Sequence, residues 1–281
     1  MKKVWQIVLI AVACGMFGAN SARAGIMDGL VSYWPLDGDL LDAQDDNDGS
    51  NGNPRVAVGF EAGKFGDAGV FSGNNFVEIT GGDESEFDFT GGDMSVSAWF
   101  TVDEFTGSWQ ALVAKGEGGG WRVARRGGDN VMSFAGGIGD IPGSAIGPDV
   151  TDGEWHNIVA ISEHAVSSRL WVDGQLVAEN VGGPGDPGAD PPVPPSPNLE
   201  DRENRMQIGG NPDSAGRSWN GDIDDVGVWN RVLTPGEVAG IWNGGAGAPI
   251  PQAVPEPSTI LLAAFGLLGL ALHSLRRRLS A

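Results

Sequence analysis

Met94-Ser95-Val96-Ser97-Ala98-Trp99-Phe100-Thr101-Val102 alternates without a break. Met94, Val96, Ala98, Phe100 and Val102 share one face, and Ser95, Ser97, Trp99 and Thr101 share the other, which is the two-residue period of a strand with one face in a core. Outward from this stretch, short β-branched or aromatic runs recur between Gly, Asp and Asn clusters, at residues 30–36, 69–71, 76–80, 111–115, 121–125, 131–134, 155–162, 169–177, 206–208 and 223–232. That spacing predicts an all-β antiparallel sandwich. The 46 Gly and 17 Pro supply tight turns between short strands. Val172-Asp173-Gly174-Gln175 reads as a hairpin turn. Thr234-Pro235-Gly236-Glu237 reads as an N-cap, a proline at the first helical position and a capping-box glutamate, so one short helix with Val238, Ile241 and Trp242 on one face closes the domain. Residues 182–197 are a Pro/Gly-rich surface loop, because strand signals resume at Met206.

The order of segments carries a resemblance. Tyr33-Trp34-Pro35-Leu36-Asp37-Gly38, Gly66-Asp67-Ala68-Gly69-Val70-Phe71-Ser72-Gly73, Phe76-Val77-Glu78-Ile79, the Met94 strand, Gly153-Glu154-Trp155-His156, Leu170-Trp171-Val172-Asp173-Gly174 and the run from Gly221 to Arg231 are similar to successive blocks of LamG-like, concanavalin A-like jellyroll domains. They span about residues 28–243. The resemblance implies a two-sheet jellyroll, often one structural Ca²⁺, and binding to polysaccharides or matrix glycoproteins more often than catalysis. For the ion it points to Asp37 near the first strand and Asp224 near the last, as side-by-side strands would bring them together. Asp224 shares parity with Val226 and Val228, so it is expected to face apolar company unless paired, with capping of backbone amides as the alternative.

Both ends read as export signals. Residues 1–24 open with Lys2 and Lys3, run through an apolar stretch and close on Ala22-Arg23-Ala24, a signal-peptidase pattern that leaves Gly25 as the mature start. The stretch is short of the roughly 20 residues that span a bilayer, which argues against an anchor. Residues 254–281 carry Pro255-Glu256-Pro257, an apolar run expected to form a transmembrane helix over about 258–275, and Arg276-Arg277-Arg278. This resembles the PEP-CTERM sorting signal, in which an exosortase recognises the tripeptide while helix and basic tail hold the precursor in the inner membrane. A permanent single-pass anchor is the alternative. Residues 244–253 read as a flexible linker between domain and signal.

Six of the 17 Lys and Arg lie in these ends, so 11 face 37 Asp and Glu, and the exported part carries about −26. Nucleic acid and anionic lipid are thereby excluded as partners. Cys14, the only cysteine, lies in the signal, so the mature chain forms no disulfide. It also lacks a clean lipobox lead.

No His pair, Cys pair or phosphate loop is present. Glu86-Phe87-Asp88-Phe89 imitates half of a laminarinase motif whose carboxylates alternate along one strand face, but the last glutamate is missing, so the chain is not expected to be an enzyme. His156 reads as structural, and Asp42, Asp45, Asp46 and Asp48 as a solvated loop. Trp99, Trp171 and Trp229 fall off the main apolar face and form either a sugar-stacking platform or a surface covered by loops and the closing helix. Trp109, Trp121 and Trp219 are further candidate ligand contacts. The sequence thus describes an exported, non-catalytic surface or matrix protein that binds carbohydrate or adheres; a purely structural matrix component and a glycoside hydrolase are the alternatives. Mass spectrometry of the secreted protein is expected to find Gly25 at its N-terminus, and an intact residue 1–24 segment would overturn the signal-peptide reading.

Overall fold

In the computed structural model the described residues are 25–117, 119–185 and 195–250. Residues Gly25–Ile250 form one compact unit with its own core. The expected signal peptide, the sorting motif and its apolar helix lie outside the described residues.

Fifteen strands build two antiparallel sheets: β1 (Leu30–Trp34), β2 (Gly49–Asn51), β3 (Gly59–Ala62), β4 (Asp67–Ser72), β5 (Val77–Ile79), β6 (Met94–Phe100), β7 (Ala111–Ala114), β8 (Trp121–Arg125), β9 (Met132–Gly136), β10 (Asp140–Ile141), β11 (His156–Glu163), β12 (Ser167–Val172), β13 (Gln175–Val181), β14 (Gln207–Ile208) and β15 (Asn220–Trp229). The first sheet runs β13-β12-β11-β6-β15-β4-β3, with β1 also paired to β15; the second runs β10-β9-β8-β7-β14-β5-β2. Hairpin neighbours such as β8–β9 and β11–β12 alternate with long crossovers such as β6–β15, β15–β4 and β7–β14, as in a jellyroll.

Strand β6 occupies the centre because both its faces bury something. Met94, Val96, Ala98 and Phe100 enter the core between the sheets, where they meet Trp34, Phe71, Leu112, Phe134 and Ile158. The opposite face is also covered. Helix α1 (Pro235–Trp242) lays Val238 and Ile241 over Leu30, Tyr33, Val159, Ile161 and Trp229, forming a second apolar cluster. Its capping box is complete, with Thr234 Oγ1 accepting from the Glu237 amide and the Glu237 carboxylate accepting from the Thr234 amide. The β12–β13 hairpin turns at Asp173 and Gly174, both with left-handed φ (51° and 70°), which matches the strand twist.

Two expectations change. Residues 244–250 are packed onto the domain: the Lys64 ammonium donates to the Gly245 carbonyl (2.7 Å), the Ala248 amide to Ile241 (3.1 Å), and Ile250 is buried in the second cluster. The domain therefore extends through Ile250, because Gly- and Ala-rich composition permits close packing as readily as flexibility. The expected parity of Asp224 is also broken. Ile223 faces Phe100 and Asp224 faces Trp99, after which the register slips before Gly227 meets Ser97. This bulge, with Asp225 at φ 54°, turns both Asp224 and Asp225 outward while Ile223, Val226 and Val228 stay in the core.

The loop after β13 leaves and returns through one neck, where Gly183 and Ser196 exchange backbone hydrogen bonds of 2.6 and 2.8 Å. That agrees with an insertion in one domain.

Trp99 joins helix, turn and arm. Its ring stacks on Trp242 (5.5 Å, 16°), meets Phe65 edge-on (5.9 Å) and lies under the Lys64 ammonium (4.4 Å). Trp99→Ala is expected to cost about 3–5 kcal/mol in urea unfolding, and a loss below about 1 kcal/mol would show that the cover over this face does not depend on it.

Candidate functional site

The tryptophan platform does not form, and the reason is the cover just described. Trp99 and Trp229 are fully buried on the outer face of the first sheet, and Trp171 packs partly buried against the α1 cluster. The Trp229 indole N–H donates to the Ile26 carbonyl (2.7 Å). Trp121 and Trp219 lie in the inter-sheet core, donating to Phe87 O (2.8 Å) and Thr101 O (3.0 Å), and no face of either ring is left for a sugar. Trp109 alone of the six candidates is half-buried away from these clusters, with the Arg122 guanidinium 5.0 Å from its ring centroid.

Asp37 and Asp224 do come together, on the turn before β4. Asp37 accepts from the Asp67 amide (2.7 Å) and Asp224 from the Phe65 amide (2.8 Å). They are joined by Asp225, which the sequence reading passed over. Its buried carboxyl accepts from the Tyr33 hydroxyl and from the Ile250 amide (3.1 Å). Burial, first, pushes Asp224 up to about 7, with the Asp37 charge adding to it; burial with the charges of Asp224 and Asp37 pushes Asp225 up to about 8. Asp222 rises to about 6 through burial and the neighbouring Glu61 and Asp103. For calcium the residues present fit poorly. Asp37 and Asp224 each spend an oxygen on a backbone amide and no group of three metal-binding side chains occurs among the described residues; the feature that suits a cation is Asp224 Oδ1, a buried oxygen without a partner.

The half-laminarinase segment takes another shape. Glu84–Phe87 is a 3₁₀ turn, so Glu86 and Asp88 do not alternate on a strand. Glu86 accepts from Asn47 (3.0 Å) and Asp88 pairs with the buried Lys115 (2.8 Å). Both line a cleft of about 700 Å³ with Asp93, Asp201, Phe89 and Val31. His156 is structural in the way expected: its ring lies between Asp173 (2.8 Å) and Asp152 (3.0 Å), and although burial lowers its pKa, these carboxylates raise it overall.

The outer face of the second sheet is different in kind. Ser50, Glu78, Gln207, Ala114, Arg122, Ala135 and Asp140 stand in register across all seven strands. Arg122 donates to Asp140 (2.7 Å) and to Glu117, and Glu117 also accepts from Arg217 and Asn211 (2.7 Å). Beside Gln207 a groove of about 360 Å³ opens between the residues before β5 and the 211–218 loop. Small apolar residues, among them Ala114 and Ala135, are interleaved here with hydrogen-bonding groups held by strand register.

The two antiparallel sheets packed face to face are a jellyroll β-sandwich. Residues 71–239 match the concanavalin A-like lectin/glucanases superfamily, which is more than half of the chain, and this protein belongs to that family. Residues 253–278 match the PEP-CTERM protein-sorting motif, which marks an exported protein sorted to the cell surface. No curated protein matches. Among solved structures, the binding domain of Paraclostridial Mosquitocidal Protein 1 shares 15% identity over 78% of this chain and 52% of its own (TM-score 0.56). The binding domain of Botulinum Neurotoxin DC in complex with SialylT shares 13% over 77% and 51% (TM-score 0.53), and Trypanosoma rangeli sialidase in complex with the inhibitor DANA 16% over 79% and 34% (TM-score 0.53). The chain thus spans about half or less of each, and these likenesses show the fold.

The raised carboxyls set a pH dependence. Asp222, Asp224 and Asp225 hold their protons more tightly folded than unfolded, so the stability they contribute is complete below about pH 4 and is lost as pH rises through about 6, 7 and 8. Asp224 and Asp225 each contribute a slope of up to about 1.4 kcal/mol per pH unit within their windows, and the half-buried Asp222 less because solvent screens it. His156, also raised, acts in the same sense from its ordinary 6.5 upward. Thermal melts in chelator are expected to show a higher Tm at pH 5 than at pH 8, and Asp225→Asn to flatten the difference; a Tm that rises over this interval would contradict the assignment.

Proposed function

We propose that this is a non-catalytic surface or extracellular-matrix protein whose jellyroll binds carbohydrate. In this reading the precursor is held in the inner membrane by its tail and released to the surface by an exosortase acting at Pro255-Glu256-Pro257, and the partner is a polysaccharide or matrix glycoprotein. The observation that carries it is the outer face of the second sheet, where the half-buried Ser50, Glu78 and Trp109 stand beside the groove at Gln207. Sugars offer closely spaced hydroxyls, and pre-ordered polar groups bind them without a large entropy cost. Membership of a lectin superfamily supports the same reading. A non-catalytic role is supported by the engagement of Glu86 and Asp88 with Asn47 and Lys115, which leaves that pair without the opposed geometry that glycoside hydrolysis needs.

A structural matrix role without a defined ligand is the second reading. It is favoured by the full burial of Trp99, Trp121, Trp219 and Trp229 and the partial cover of Trp171. The two readings separate in a polysaccharide pull-down with the Gly25–Ile250 domain, run with Ca²⁺ and with chelator. Saturable retention on a defined polysaccharide is expected, and unchanged in chelator; retention that disappears with chelator would restore a calcium site, and no retention in either condition would favour the structural role.

A further inference from the structure

The 360 Å³ groove beside Gln207 stands out by what it lacks. None of its ten lining residues carries a charge, in a domain with a large excess of carboxylates. The loop that forms one wall contains Asp213 and Arg217, but both turn away: Asp213 pairs with Arg202 (2.8 Å) and Arg217 with Glu117. What faces the groove is amide, hydroxyl and one aromatic ring.

These groups are held in place. Asn211 is fixed at both ends of its side chain, donating to Glu117 (2.7 Å) and accepting from the Asp213 amide (3.1 Å). The Gly73 amide donates to Trp219 O (2.7 Å), which ties the two walls together. The Phe76 ring rests on Gly52 so closely that a Cβ there would fall 1.9 Å from Cε2, so the ring has no room to turn inward. Yet the polar groups nearest the opening are spare. The Gln207 carboxamide lines the groove and makes no hydrogen bond among the described residues, and neither do the hydroxyls of Ser214 and Ser218 or the Asn74 amide nitrogen, so all of them open to the groove's solvent. Groups left to water in a groove are free to exchange that water for the hydroxyls of a ligand.

We propose that this groove is a subsite for an uncharged hexopyranose unit of a neutral polysaccharide, with the sugar's apolar face on Phe76 and its hydroxyls on Gln207, Asn74, Ser214 and Ser218. This deepens the carbohydrate-binding reading and rests on it. Each pyranose presents one apolar face and a rim of hydroxyls, the complement of one ring set among neutral donors and acceptors. Its volume lies at the small end of ligand clefts, roughly 300–1,000 Å³. Acidic polysaccharides are disfavoured, since no cation lines the groove and the surrounding field is negative.

Affinity electrophoresis of the Gly25–Ile250 domain tests this in gels containing mixed-linkage β-glucan, galactomannan or xyloglucan as neutral probes and alginate or polygalacturonate as acidic ones. The domain should be retarded by at least one neutral probe and by neither acidic one. Phe76→Ala combined with Gln207→Ala should weaken that retardation about tenfold, a loss near 1.4 kcal/mol. Exposed-rim changes Asn74→Ala and Ser214→Ala, which leave the fold intact, should weaken it several-fold with an unchanged melting temperature. Asp93→Asn with Asp201→Asn in the acidic cleft should change nothing. Neutral binding untouched by all groove variants would overturn the subsite while leaving carbohydrate binding standing. Retardation by acidic probes alone would overturn the ligand class, and retardation by none would overturn both proposals.

Discussion

Everything in this domain depends on closing the first sheet on both faces. Its central strand β6 sends Met94, Val96, Ala98 and Phe100 into the inter-sheet core, but its other face carries Trp99, too large and apolar to leave in water. The chain answers with three pieces: Trp242 of α1 stacked on the ring, Phe65 at its edge and the Lys64 ammonium over its face. With a single cysteine in the chain no internal disulfide can form, and this second layer of packing is how a sandwich with many short strands gains the buried apolar area it needs.

The same cover explains the buried acids. A bulge in β15 turns Asp224 and Asp225 out of the core and into the layer beneath the 243–250 segment, where Tyr33, Ile250 and the turn before β4 receive them. Carboxyls in such a place are costly when ionised, and they respond by holding their protons to higher pH. They secure the closing segment to the sheet as hydrogen-bond acceptors, a structural task for residues whose type suggests a metal.

The outer face of the second sheet is closed by other means, with Ala114, Arg122 and Gln207 buried and Ser50 and Glu78 half-buried. The second sheet's outer face keeps a registered row of polar groups, a salt-bridged cluster around Glu117 and the uncharged groove beside Gln207. The difference between the two sheets is thus physical: an aromatic and aliphatic layer covers one outer face, and hydrogen bonds and ion pairs hold much of the other.

The period-two run from Met94 to Val102, the hairpin at Asp173-Gly174, the capping box at Thr234 and the ordered family blocks were all legible, because each rests on local chemistry: alternation, left-handed turn residues, side-chain caps. Short strands such as Gly49–Asn51, Gly59–Ala62 and Asp140–Ile141 were not, since they form at sheet edges by pairing and carry no periodicity of their own. Parity placed Trp99, Trp171 and Trp229 correctly on the far side of their strands, but parity says only which face a residue takes. Whether that face meets sugar or a helix is decided by residues more than a hundred positions away, and for Trp99 by Trp242. The bulge that redirects Asp224, and the groove that gathers Asn74, Phe76, Gln207 and Ser214 from two distant segments, likewise exist only once the strands have paired, because register and loop approach are properties of the closed sandwich and of no stretch within it.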